Sequence, residues 1–134
     1  MDAVLRDLAA ASWLDRSKII AFDWRVLRLA RDRVPGIETA HLTIQHARDA
    51  AEATARSPWF DGCDAGESDL AAVKAHGGVE WSPHFTDVTP ERMDEARALG
   101  LRVGPWGLSK AADIQRMADL GVFSSTVSGA ELPA

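Results

Sequence analysis

"MDEARALGLRVGPW", residues 93–106, and "IQRMADLGVFSSTV", residues 114–127, decide how this chain is read. Each carries a helical segment into Leu-Gly and then into a β-type run, and Gly100 and Gly121 lie 21 residues apart. A glycine just past a helix supplies the left-handed residue that ends it, so the pair reads as two successive strand–helix units. Met93, Ala96 and Leu99 in the first segment, and Ile114, Met117 and Leu120 in the second, recur at helical spacing and give each helix one buried stripe. Upstream, Thr89-Pro90-Glu91 combines a hydroxyl N-cap, proline at the first helical position and an acid in the first turn. Ser109 is expected to cap the next helix in the same way.

The same grammar extends toward the amino terminus. Val4, Leu5, Leu8 and Ala11 mark an amphipathic helix, and "KIIAFD" (18–23) reads as a strand. Asp23 can cap the helix WRVLRLARDR, which Val34-Pro35-Gly36 stops. "ETAHLT" (38–43) is a second strand, followed by an alanine-rich helix near 44–56 with Arg48, Glu52 and Arg56 spaced for ion pairs. A loop, "SPWFDGCDAGES", leads to a short helix, LAAVKAH, and a strand "GVEWSP" (78–83); strands near 103–106 and 123–127 complete five. Strands alternating with helices over such short spans imply parallel pairing with right-handed crossovers, hence an α/β fold, either an open doubly wound sheet or part of a (β/α) barrel.

Composition bounds the function without naming it. The 134 residues suit one domain; 46% hydrophobic and 26% charged residues are ordinary for a globular chain. A net charge of −5 with no basic run argues against nucleic-acid binding. No apolar stretch approaches the ~18 residues that span a bilayer, and the first residues carry acids where a signal peptide is basic, so a cytoplasmic location is the expectation. Cys63 is the single cysteine and can form no internal disulfide. Neither GxGxxG nor GxxxxGK[ST] follows any strand, which weakens a nucleotide-binding reading.

"IIAFDWRVL", "HLT", "SPWFDG", "GGVEWSP", "VTPERMDEARALGLRVGPW" and "MADLGV" occur in an order and spacing that resemble the carboxyl-terminal part of a glycerophosphodiester phosphodiesterase, over about residues 4–122. The resemblance implies a partial TIM-type barrel, about five of eight βα units, with residues 1–134 as one partial domain and the site at the carboxyl ends of the strands. It implies hydrolysis of glycerophosphodiesters to an alcohol and glycerol 3-phosphate, in lipid metabolism, with a divalent metal (Mg or Ca) held by carboxylates and a histidine pair moving protons. In the family those groups sit on the first three strands, in motifs reading His-Arg-Gly, Glu-x-Asp, His-Asp and Glu-x-Lys. This chain resembles the part of the barrel after those strands, beginning at the helix before the fourth, so neither a catalytic residue nor a metal ligand is expected in it. Glu67-Ser68-Asp69 fits Glu-x-Asp by letters but opens a helix from a polar loop with no strand before it.

The resemblance places Trp106 as a substrate-binding residue, matching a tryptophan that lines the pocket; Phe22 and, from its place at a strand end, Trp81 are expected to bind substrate beside it, with packing as the other reading of Trp81. Gly107, Leu108 and Ser109 stand where Thr, Val and Asn are usual, and Phe123 stands in place of an aspartate, with a serine-rich closing strand. His41, His46, His76 and His84 are too scattered for a local ligand pair; His41 reads as a core or rim histidine and His84 as pocket rim. Asp61, Asp64, Glu67 and Asp69 imitate a calcium loop, but Cys63, Ala65 and Ala72 fall where oxygen ligands are needed, so a solvated acidic loop is the better reading. Trp59 reads as packing. Two functions are compatible with these residues: a phosphodiesterase active toward a small glycerophosphodiester only when completed by an amino-terminal half, or a non-catalytic remnant that self-associates through an open half-barrel face.

Overall fold

Four parallel strands laid side by side in chain order form the frame of the computed structural model, which describes residues 1–44, 58–64 and 68–129. They are β1 (Lys18–Ala21), β2 (Glu38–Thr43), β3 (Glu80–Pro83) and β4 (Arg102–Val103). The register pairs Ile20 with Ala40, His41 with Trp81, and Trp81 with Val103. A sheet that grows by one neighbour at each crossover, always in the same direction, is the arrangement from which a barrel is wound.

The helices are α1 (Asp2–Ala10), α2 (Trp24–Arg33), α3 (Asp69–Ala75), α4 (Pro90–Leu99) and α5 (Ala111–Leu120). Local signals set most of their ends. The Asp23 side chain accepts from the Arg25 N–H, and Thr89 from the Arg92 N–H, with Pro90 at the start of α4. Gly100 and Gly121 close α4 and α5 in the left-handed region, at φ +68° and +80°. Ser109 departs from expectation: α5 starts one residue later, with Lys110 at the N-cap and no capping side chain. The expected helix near 44–56 lies almost wholly outside the described residues.

The expected last strand takes an irregular form. Phe123 N–H donates to the Val103 carbonyl (2.8 Å), Thr126 to Pro105 (2.9 Å) and Ser128 to Leu108 (3.0 Å). Residues 123–128 therefore run beside β4 as a fifth segment. Three residues on one side oppose two on the other between the first two bonds, an offset of the kind a β-bulge makes, and Pro105 has no N–H to contribute.

The core lies between the sheet and the helices. Trp24, Leu27, Leu70, Val73, Trp81, Leu108 and Met117 are fully buried there, each contributing about 1.5–3 kcal/mol of transfer free energy or more for the indoles. α1 adds a smaller cluster through Leu5, packed with Ala30 and Ile37, while Val4 stays half exposed. The opposite sheet face is polar at its amino-terminal end. Lys18 Nζ is 2.7 Å from Glu80, Arg102 is 3.3 Å from Glu80 and 2.9 Å from Glu38, and Phe123 lies over both Lys18 and Arg102.

Candidate functional site

At the carboxyl ends of the strands four rings converge from distant parts of the chain. Phe22 follows β1, Trp59 lies in a 3-10 turn (Pro58–Phe60), His84 follows β3 and Trp106 follows β4. Phe22 meets Trp106 edge to face at 5.5 Å and 88°, and lies 6.2 Å from Trp59. His84 also meets Trp106, at 4.7 Å and 81°. Such edge-to-face contacts are the preferred geometry of aromatic quadrupoles, so Phe22 and His84 together hold the indole in orientation.

Backbone pairing puts it there. Trp106 N–H donates to the Pro83 carbonyl (2.9 Å), its carbonyl accepts from Phe85 N–H (3.0 Å), and its indole N–H donates to the Thr43 carbonyl (3.3 Å). His84 is oriented by its own turn, since Thr86 N–H donates to Nδ1, which also lies 2.8 Å from the Thr86 hydroxyl. Gly107 is what admits the imidazole: a Cβ there would stand 2.6 Å from His84 Nε2, and its φ is +87°. Gly107 and His84 thus form one packing arrangement, which the sequence showed only as two separate residues.

Trp81 does not join this cluster. Its side chain points to the helix side of the sheet, wholly buried, with the indole N–H donating to Thr43 Oγ1 (2.9 Å) and Asp69 Oδ2 (3.1 Å) and the Arg92 guanidinium 4.6 Å from its ring. The expectation that it binds substrate beside Trp106 is corrected: residues 80–83 are buried on both faces, so neighbouring positions give no sign of which side faces a site. Asp69 is likewise no part of a solvated acidic loop. It is fully buried, paired with Arg92, and burial pushes its carboxyl above the ordinary carboxylate range against the pull of that guanidinium. Glu67 lies outside the described residues.

A second polar cluster, invisible in the sequence, joins β2, α2, α3 and the loop after the 3-10 turn. His41 Nε2 is 2.8 Å from His76 Nδ1, and His76 Nε2 is 3.2 Å from Asp61 Oδ2. Asp61 also takes Arg28 Nε at 2.5 Å, and that guanidinium first, then His76, holds its carboxyl down at about 2. The two histidines are separated by 35 residues, so no local spacing could have revealed them. His41 is a core histidine, as its place on a strand suggested.

The described residues do not fit a divalent metal. No three His, Cys, Asp or Glu side chains among them form a group that could hold one. The acids nearest the sheet's inner face, Glu38 and Glu80, are occupied by Arg102 and Lys18, and Asp23 by Arg25. What the strand ends offer is an aromatic lining able to grip an apolar or CH-rich portion of a ligand through ring faces.

Parallel strands linked by outer helices, with a cluster at the strand carboxyl ends, define a part of a TIM-type barrel. No family model matches the chain and no curated protein does, but solved structures do. A protein assigned as a glycerophosphoryl diester phosphodiesterase from Silicibacter pomeroyi superposes with a TM-score of 0.76 at 34% identity over 94% of this chain. An Agrobacterium tumefaciens protein of the same assignment gives 0.71 at 20% identity over 92%. An Oleispira antarctica phosphodiesterase, solved with the product sn-glycerol-3-phosphate, gives 0.57 at 12% identity over 82%. The chain spans 39%, 44% and 37% of those three proteins. In sequence and in fold it matches a segment of the glycerophosphodiester phosphodiesterase barrel. No helix among the described residues is long and apolar enough to cross a membrane.

Proposed function

We propose that this chain is the carboxyl-terminal part of a glycerophosphodiester phosphodiesterase, supplying the substrate-lining wall of a barrel that cleaves glycerophosphodiesters to an alcohol and glycerol 3-phosphate. The observation that carries the reading is the Phe22–Trp106–His84 cluster at the strand carboxyl ends, where a TIM-type barrel does its chemistry, in a chain 34% identical to such a protein. On this reading the acids and histidines that bind a divalent metal and move protons belong to the part of the barrel that this chain does not span. Trp106 and Phe22 hold the alcohol or glycerol portion by ring contact. The chain alone is then inactive. Mixed with an independently produced amino-terminal half and Mg²⁺ or Ca²⁺, it hydrolyses glycerophosphocholine, and the Trp106→Ala chain raises KM in that mixture; a mixture no faster than buffer defeats the proposal.

A second reading, an association module without turnover, draws on one observation. Ile20 and Phe123 are 50% and 59% exposed, on the sheet face or beside it, and β1 has no neighbouring strand on its outer side among the described residues. An open edge and exposed apolar side chains favour association. Sedimentation velocity separates the two: a concentration-dependent dimer of the isolated chain supports the module, and a compact monomer that binds no hydrophobic dye rules it out.

A further inference from the structure

We propose that His41, His76 and Asp61 form an acid-sensitive clasp that fixes the loop at 58–64, and with it Trp59, against the aromatic cluster at the strand ends. The inference goes beyond the phosphodiesterase reading and stands whether or not the barrel turns over substrate.

Hydrogen-bond direction shows why the clasp responds to protons. His76 Nδ1 lies 3.2 Å from Arg31 Nη2 and 2.8 Å from His41 Nε2. A guanidinium can only donate, so Nδ1 is a lone pair and both contacts point into it. His76 is therefore neutral with its proton on Nε2, donating to Asp61, and His41 is neutral with its proton on Nε2. An added proton on His76 goes to Nδ1, where it meets two donors and no acceptor. An added proton on His41 goes to Nδ1, where the backbone of Glu80 favours the charged form, and leaves the Nε2–H donating to His76. Protonation of His76 therefore breaks the His41–His76–Arg31 junction while its Nε2–H keeps hold of Asp61, so the ring and the loop it carries shift together.

The groups around the pair pull in both directions. Arg28 and Arg31 from α2 oppose protonation, while Asp61 from the loop favours it on His76 and the backbone of Glu80 in β3 favours it on His41. Burial first, then the neighbouring His76 and Arg31, hold His41 down at about 3, and burial lowers His76 despite Asp61. The clasp is closed at neutral pH and comes under strain only in acid.

Its mechanical output is the loop. Asp61 sits at φ +52°, a left-handed conformation that costs a non-glycine residue and that its bonds to Arg28 and His76 sustain. Next to it, Phe60 stacks on Trp24 at 4.2 Å and 14°, and Trp24 meets His41 at 4.9 Å. One residue further, Trp59 reaches Phe22. Contacts thus run unbroken from the histidine pair to the strand-end cluster.

The Trp59 indole N–H resonance, assigned with the Trp59→Phe chain, reads the loop between pH 7.5 and 4, while far-UV circular dichroism reads the fold. The expected result is a sigmoidal shift of Trp59 below pH 6.5 with circular dichroism unchanged, lost in the His41→Gln/His76→Gln chain, whose amides hydrogen-bond without titrating. A Trp59 signal that stays put, one that moves only as circular dichroism collapses, or a shift that survives in the folded double variant overturns the clasp. If the double variant does not fold, histidine ring ¹⁵N shifts of the unaltered chain decide. Protonation of His76 over the range in which Trp59 moves supports the proposal, and a His76 ring that stays neutral there overturns it.

Discussion

Gly107 shows how one missing side chain organises the strand ends. A methyl group there would stand 2.6 Å from the His84 ring on a backbone at φ +87°, so Gly107→Ala meets both a clash and a left-handed penalty. Chemical denaturation is expected to show a loss of about 1–3 kcal/mol, and the His84 ring resonances to move with it. His41 makes the fold sensitive to acid. Its folded value of about 3 lies below the ordinary 6.5, so the folded state binds fewer protons than the unfolded one and stability falls as pH drops from 6.5 toward 3. Asp61, held at about 2 against 3.8, adds a second loss only below pH 3.8. The urea midpoint is therefore expected to be lower at pH 4.5 than at pH 7, and the difference to shrink in the folded His41→Gln chain.

The elements differ in how their ends are held, and that difference is measurable. Thr89 accepts from Arg92 N–H at the start of α4, so Thr89→Ala is expected to cost about 1 kcal/mol. Ser109 does not cap α5, so Ser109→Ala is expected to change stability by less than about 0.5 kcal/mol; equal losses in the two variants would contradict the assigned helix starts. The limits of α2 and β2 could be read from the sequence because Asp23, the Val34-Pro35-Gly36 stop and the ETAHLT run act within a few residues. The face of β3 could not. Glu80, Trp81, Ser82 and Pro83 are all buried, so alternation carries no information, and a strand-end tryptophan that reads as pocket lining instead turns its indole to Thr43 and Asp69 on the helix side.

For the molecule as a whole, the sheet face opposite the helices is charged at one end and aromatic at the other. The Glu80 side chain is 3% exposed between Lys18 and Arg102, while the two cations are 27% and 31% exposed. Glu80→Gln leaves Lys18 short of a counter-charge while Arg102 keeps Glu38, with solvent softening the loss, so about 1–2 kcal/mol is expected by urea titration. The same layer explains how an open half-barrel face need not be a continuous apolar surface: ion pairs occupy its amino-terminal end, and the exposed apolar side chains there are few. The aromatic end is where the proposed completed barrel would meet its ligand.

The sequence by itself determined the parallel α/β order, most helix ends and the kinship with a phosphodiesterase barrel, because caps, turn glycines and short motifs act over a few residues. Tertiary structure alone decided that Trp59 joins Phe22, His84 and Trp106, that Asp69 and the Trp81 indole lie inside, and that His41 finds His76. Those pairings join residues that only the winding of the sheet brings within a few ångströms, and no local periodicity records a contact made across strands.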